Sequence, residues 1–568
     1  VGNKANAFSL VLATSILFGL LLGCSAENNS NKAVSESPEK KTKINIVNGK
    51  LDPPVTLNIV RGEDPTMVFK NGETIDNNVH YRWAKEALGV DIKTLWTAPM
   101  TGDAYDTKLK LLLSSGERLP DVFVANSADT INTYLKSGKV LNAGEAFEKY
   151  ASPTYKAAMN EVPSAWLPFT KDGQKLALPI INENFGSQSV MWIRQDWLDK
   201  LKLKAPTTIE ELEIVMDAFT NQDPDGNGKK DTIALDYVTN GTEMLGSPIG
   251  DTSWIFGMFG AIPERWYPGE DGKLQYGSIQ PGIKKALEKM REWKSKGYLP
   301  SDIALHNFNT IVQNVAAAKV GIVGGQNWLM NYPGPMMLQT DPNAEFRPYP
   351  LPEGIDGKNM RTIGNDYNGA ILISRDISEE SLQAFFHYMN TLYSIYDKPD
   401  LSLFEGFQEG YDYAIRDGKL TTKTEDIPDG YISTTKYLLP GTPVYQSKVR
   451  EIKMKFIEGK KETAEDLAVM FTAGISGMES PLDKYNYDAL RVVSEQLSAD
   501  VPQYYQGPAT RVMISRNELL SKMQMDTYTK IIYGEQDLDA FDTFVEKWKS
   551  SGGEEITEEV NEWYATVK

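Results

Sequence analysis

The stretch Asp223-Pro224-Asp225-Gly226-Asn227-Gly228-Lys229-Lys230-Asp231 carries oxygen side chains at loop positions 1, 3, 5 and 9 and glycine at position 6. That spacing matches the first nine positions of an EF-hand-like loop, in which alternate residues point inward at a hard divalent cation. Calcium takes about six to eight oxygen ligands. Asp223, Asp225, Asn227 and Asp231 offer side-chain oxygens, Lys229 its carbonyl, and Gly228 the sharp backbone turn. Position 12 is Ala234 rather than glutamate, so the missing ligand has to come from Glu213, Asp217, Asp236 or water. The competing reading is an ordinary turn rich in Asp, Gly and Asn. No histidine or general base lies close in sequence, so the expected role of Ca²⁺ here is structural.

A second reactive residue is Cys24, the single cysteine. It follows an apolar run, Leu10 to Leu22, and the tetrapeptide Leu21-Leu22-Gly23-Cys24. The run is shorter than the roughly 20 residues a membrane-spanning helix needs but suits the apolar part of a signal peptide. Leu21 to Cys24 resembles the lipobox of bacterial lipoproteins, with cleavage after Gly23 and lipid on Cys24. The polar residues that follow, from Ser25 to about position 52, read as a solvated tether. With one cysteine there is neither an intramolecular disulfide nor a cysteine metal cluster. His80, His306 and His387 are too dispersed to form a ligand pair at helical spacing, and each reads as structural. The formal net charge of −18 argues against nucleic acid as a partner.

These residues need a scaffold, and a chain of 568 residues is long enough for two domains. Val55 to Val60 alternates with period two as a strand. Val79, Trp83 and Ala87 share a helix face that Gly89 ends. Val90 to Trp96 is a second strand, and Leu109, Leu112 and Leu113 mark a helix stopped by Gly116. Val122-Phe123-Val124 is a third strand. Strands alternating with helices predict an α/β domain with a largely parallel sheet, whose ligands sit at the strands' carboxyl ends. Further strands are expected at Ser189 to Ile193, Val320 to Val323 and Asn368 to Ile373, with a mostly helical tail presenting Ala540, Phe541, Phe544 and Trp548 on one face.

Order and spacing of several segments point to a family. Leu111 to Gly116 leading to Leu119-Pro120-Asp121-Val122, Trp192 to Leu198, Pro206 through Asp231, Val320 to Trp328 and Ile363 to Ser374 together resemble bacterial extracellular solute-binding proteins. The likeness is to the maltose- and alginate-oligosaccharide-binding type, and most of all to LipO-like lipoproteins. The resemblance implies an α/β, two-lobed, type II periplasmic-binding-protein-like fold with hinge crossovers and C-terminal helices. It places residues 1–23 as signal peptide, 24–52 as lipidated tether, 53–183 plus about 360–400 as first lobe, and 184–359 plus about 401–568 as second lobe. The crossovers fall near Ile181 to Asn184 and between Pro352 and Gly369. Thr232, where similar proteins carry an acidic residue, departs from the pattern.

The implied partner is a carbohydrate held in the cleft and passed to ABC permease subunits, the receptor being a lipid-anchored monomer on the outer face of a Gram-positive cell. Sugars stack apolar CH faces on aromatic rings and bond hydroxyls to polar groups. Trp328, Trp254 and Tyr367 are the candidate aromatics; Glu183, Asn126 and Glu63 are the candidate polar contacts. Trp83, Trp293 and Trp548 read as packing residues. A peptide or other organic solute in the same fold, a sensor or adhesin, and a lipid-anchored polysaccharide hydrolase stand as alternatives. The hydrolase lacks a G-x-S-x-G elbow, an H-E-x-x-H motif or a phosphate loop.

Overall fold

The computed structural model describes residues 45–567 except 240–244, 398–408, 418, 422, 459 and 461–480. The segments expected to be a signal peptide, the lipidated Cys24 and the tether up to residue 44 lie outside these residues. Among the described residues no helix is long and apolar enough to cross a membrane.

Nine strands build two sheets. In chain order they are β1 (Val55–Glu63), β2 (Val90–Pro99), β3 (Val122–Ala125), β4 (Leu178–Ile181), β5 (Val190–Arg194), β6 (Ile233–Asp236), β7 (Val320–Gly325), β8 (Phe346–Tyr349) and β9 (Tyr367–Ile373). The first sheet has the order β2-β1-β3-β9-β4 and the second β6-β7-β5-β8. The chain leaves the first sheet after Ile181, enters the second at Val190, and returns between Tyr349 and Tyr367. This is the two-lobed α/β fold. The first sheet is less parallel than the strand-helix alternation predicts: β9 pairs antiparallel with both β3 and β4. The crossings explain it. β4 exits towards the second lobe at its carboxyl end, so the strand that comes back runs the opposite way.

Local signals hold where the expected elements form. Helix Ile209–Asn221 starts at Thr208, whose hydroxyl accepts the Glu211 amide proton at 3.3 Å; such N-caps are worth about 1 kcal/mol. Its buried Leu212, Met216 and Phe219 join Trp197 and Trp293 in the second-lobe core. The tail helices Arg511–Ile532, Asp539–Trp548 and Glu554–Val567 close the same core with Tyr528, Phe541, Phe544, Trp548 and Val560.

Two boundaries differ from expectation. Residues 45–52 are not tether: Asn45–Val47 and Lys50–Asp52 form a hairpin about Asn48-Gly49, both at positive φ, and Leu51 is buried in the first-lobe core. Asn-Gly between short apolar strands is the favoured two-residue hairpin turn, a signal hidden by the polar composition around it. Residues 409–452 do not belong to the second lobe. Leu438, Val444, Val449 and Ile452 pack in the first-lobe core. From the first lobe, Arg61 donates to the carbonyls of Tyr437 and Leu438 and Lys70 to those of Gly410, Pro428 and Gly430. Helix Gln446–Ile457 then links the lobes a third time, Val449 and Ile452 in the first core and Met454 and Ile457 against a second-lobe cluster.

His306 is structural, as its isolation in sequence implies. It is 3 % exposed, with Nδ1 2.7 Å from Asp236 Oδ1 and Nε2 3.3 Å from Asp302 Oδ1. Asn314 Nδ2 donates to the other Asp236 oxygen at 2.8 Å. Burial raises the Asp236 carboxyl, and the bonds from His306 and Asn314 offset it only in part. Burial by itself lowers the His306 imidazole, but the Asp236 bond and the charges of Asp236 and Asp302 outweigh it and raise the imidazole above its usual value. Both groups hold protons more tightly folded than unfolded, so each loses stability as pH rises. For His306 the contribution is complete below about 6.5, the unfolded histidine value, and is lost as pH climbs through the higher folded one. Thermal melts at rising pH above that point are expected to show a falling Tm, and His306→Gln to flatten the slope. An equal slope in the variant would exclude this pair as the cause.

Candidate functional site

A cavity of about 490 Å³ opens at the carboxyl ends of β1, β3 and β4. This is where a parallel α/β sheet leaves its loops free to receive a ligand. Its floor is Ile59, Val122 and Ile371; Asn126 follows β3, and Asn182 and Glu183 follow β4 at the first crossing. The opposite wall is residues 435–442, part of the segment that wraps back onto the first lobe. Arg61 holds that wall: Nη1 donates to Tyr437 O at 2.6 Å and to the Tyr81 hydroxyl at 3.2 Å, and Nη2 donates to Leu438 O at 3.1 Å and to Lys436 O.

Of the residues expected to hold ligand, the structure brings two into this cavity. Asn126 is exposed there, its Oδ1 lying where a Cβ on Gly369 would stand at 2.3 Å; glycine at φ +88° keeps the strands close at this point. Glu183 also lines the cavity, accepting from the Phe185 amide at 2.8 Å and pairing with Lys453 Nζ at 2.6 Å. Glu63 is exposed outside the lining, its carboxylate bonded to Thr97. Tyr367 is half-buried, edge-on to Phe169 with centroids 5.1 Å apart, and burial raises its phenol.

Trp328 sits just past the end of β7, half-buried, its Nε1 donating to Gln326 Oε1 at 2.9 Å. Its neighbour Asn327 abuts Gly186 of the first crossing. Trp254 is not a cleft residue. It is fully buried in the second-lobe core. The strand β7 takes its indole instead: a Cβ on Gly324 would lie 2.4 Å from the Trp254 Nε1, so the missing side chain is the slot for the ring.

Sequence reasoning missed Asn182, Asn368 and the 435–442 wall as lining residues; the loop from Arg61 to Asp64, at a strand's carboxyl end, was within its reach, but the hold of Arg61 on the wall was not. The wall has no local signal, since its contacts lie some 375 residues away in sequence.

The expected calcium loop joins helix Ile209–Asn221 to β6. Asp223 Oδ2 accepts the Gly228 amide proton at 3.1 Å, while Oδ1 is buried without a hydrogen-bond partner. Asn227 Nδ2 bridges Asp225 Oδ2 at 2.6 Å and Asp231 Oδ1 at 3.0 Å. Burial, and then the adjacent Asp223 carboxylate, push the Asp225 carboxyl up against the effect of the Asn227 amide. Among the described residues no three His, Cys, Asp or Glu side chains converge as a metal cluster. The donor types suit a hard cation all the same, and Asp223 Oδ1 is an acceptor left open. The suggested position-12 substitutes are engaged elsewhere: Glu213 with Trp293 Nε1 at 2.9 Å, Asp217 with the Tyr298 hydroxyl at 3.2 Å, and Asp236 with His306.

The chain was compared with known proteins. A family described as bacterial extracellular solute-binding protein matches residues 68–391. The fructooligosaccharide ABC transporter substrate-binding protein FusA of Streptococcus pneumoniae is 28% identical over 332 residues, 56% of this chain and 57% of that one. The match thus spans little more than half of FusA. The polygalacturonan/rhamnogalacturonan-binding protein YtcQ of Bacillus subtilis is 23% identical over the full length of both chains. Lipoprotein LipO of the same organism is 24% identical over 97% of each. In structure, the chain resembles an HMO binding, ABC-transporter associated solute-binding protein of Bifidobacterium longum infantis at TM-score 0.63 and 17% identity, covering 90% of this chain and 98% of that one. It resembles the alginate-binding protein AlgQ2, solved without calcium ion, at TM-score 0.52 and 16% identity over 90% and 98%. These two likenesses show the fold.

Proposed function

Because this chain belongs to the bacterial extracellular solute-binding proteins, we propose that it captures an extracellular carbohydrate, an oligosaccharide, between its lobes and delivers it to the permease of an ABC importer. The observation that carries this reading is the cavity at the carboxyl ends of the first-lobe strands, lined by amides and hydroxyls beside the first crossing. The names of FusA and YtcQ, both sugar-chain binders, support it. In this reading Asn126 and Glu183 contact the ligand from the first lobe, and Trp328 offers an aromatic face from the second. Tyr367 and Glu63 stand further back, as supports of the cavity rim. Hinge closure brings the two sets together. The protein binds and releases without chemistry. Cys24 carries lipid that keeps a monomeric receptor on the outer face of a Gram-positive cell, beside its permease.

A thermal-shift panel of neutral and acidic oligosaccharides and of peptides tests the reading. Stabilisation by sugars is expected; stabilisation by peptides alone would overturn it.

We further propose that the 223–231 loop binds Ca²⁺ as a structural ion. Asp223, Asp225, Asn227, Lys229 and Asp231 would hold it, the Asn227 amide turning its oxygen inward. The bound cation would relieve the repulsion between the Asp223 and Asp225 carboxylates and take up the free Asp223 oxygen. A ligand that binds only the folded state at 100 times its Kd adds about 2.7 kcal/mol. Chelation is therefore expected to lower Tm by several degrees while leaving sugar affinity unchanged at low temperature. Calorimetric melts insensitive to both chelator and added calcium would remove the ion from the proposal.

A further inference from the structure

We infer that the first-lobe cavity is built for an uncharged polyhydroxyl ligand and selects against uronate-type sugars. This rests on the carbohydrate reading above and narrows it. Four charged side chains line the cavity, Arg61, Asp64, Glu183 and Lys436, two of each sign. Each is already committed to the protein. Arg61 spends its planar fork on three carbonyls of the wall and the Tyr81 hydroxyl. Asp64 accepts from the Thr66 amide at 2.7 Å and the Thr66 hydroxyl at 2.6 Å. Lys436 donates to Thr66 and stands 3.9 Å from Asp64. Glu183 is paired with Lys453 at 2.6 Å.

Recognition of a sugar carboxylate calls for a cation with donors to spare, above all a bidentate arginine. Arg61 is the one arginine among the described lining residues, and turning it to a ligand would release the wall that shapes the cavity. A carboxylate brought here would lose its water without gaining a free cation as partner, which is costly. It would also approach a chain of net charge −18. What the cavity does offer is Asn126, Asn182, Asn368 and Thr442. Amides and hydroxyls both donate and accept, as sugar hydroxyls do.

The test is titration calorimetry on the full chain with matched sets of fructo-, malto- and galacto-oligosaccharides on one side and oligogalacturonates of equal length on the other, at low and high ionic strength. At least one neutral set is expected to bind at least about tenfold more tightly than the oligogalacturonates. Its affinity is expected to change less than about twofold with salt, since no charge pair is formed. Asn126→Ala and Asn368→Ala, both at exposed positions, are each expected to weaken the neutral ligand by about tenfold with an unchanged melt. Tighter oligogalacturonate binding that falls steeply with salt overturns the inference and leaves the carbohydrate reading standing. Neutral binding indifferent to both asparagine variants overturns it too, by placing the sugar elsewhere. Binding of neither sugar class overturns the carbohydrate reading itself.

Discussion

Arg361→Ala is expected to cost about 3–5 kcal/mol of stability, the typical loss when one partner of a buried ion pair is removed. Arg361 is fully buried. Its Nε donates to Asp500 Oδ1 at 2.7 Å, its Nη1 to Ser189 O at 2.9 Å and its Nη2 to Gln496 O at 3.2 Å. Gln188 Nε2 holds the other Asp500 oxygen at 2.9 Å. Burial raises the Asp500 carboxyl, and Arg361 and then Gln188 offset that effect only in part. Without the guanidinium an unpaired buried carboxylate remains. The residues involved come from both inter-lobe crossings and from the C-terminal segment, so the same cluster ties the two crossings to that segment. Denaturant unfolding measures the cost. A loss below about 1 kcal/mol would mean that Asp500 reaches water or another donor. The Arg361→Met, Asp500→Leu double variant should recover a large part of the loss, because replacing both charges removes the desolvation penalty together with the attraction.

Two tryptophans are expected to respond in opposite ways. Trp254→Ala should cost about 3–5 kcal/mol, the range for deleting a large buried aromatic side chain, and leave the affinity of the folded protein for sugar nearly unchanged. Trp254 is fully buried and fills the space above Gly324. Trp328→Ala should do the reverse: a Tm within a few degrees of the parent and more than about tenfold weaker binding, equivalent to about 1.4 kcal/mol. Trp328 is only half-buried, its indole tied to Gln326 at the end of β7. Melts and calorimetry on both variants separate the roles. Unchanged affinity in the Trp328 variant would take that ring out of the site.

The contrast shows where sequence reading stops. Both residues are tryptophans that sequence reading offered as ligand contacts, and local sequence does not say which neighbour covers either ring. The difference is made by which strand lies across from each. Gly324 supplies a slot for Trp254 from 70 residues away, and the strand ends before Trp328 can be covered. The 223–231 loop shows the same boundary in another form. Its spacing is legible residue by residue, but what could stand in for a glutamate at position 12 is a question of which side chains face the loop. Glu213, Asp217 and Asp236 prove to face Trp293, Tyr298 and His306.

The sequence by itself determined the elements and their class: period-two strands, helices stopped by Gly89 and Gly116, and the alternation of strands and helices that makes an α/β fold. These rest on contacts within a few residues, which local side-chain patterns encode directly. Only the tertiary structure decided that residues 45–52 dock as a hairpin, that residues 409–452 return to the first lobe, and that Arg61 spends its charge on the wall of the cavity. The last two depend on pairs hundreds of residues apart. Which carbonyl meets which cation, and which glycine leaves room for which indole, is settled by packing and hydrogen-bond satisfaction across the whole fold, and no short window of sequence contains both partners.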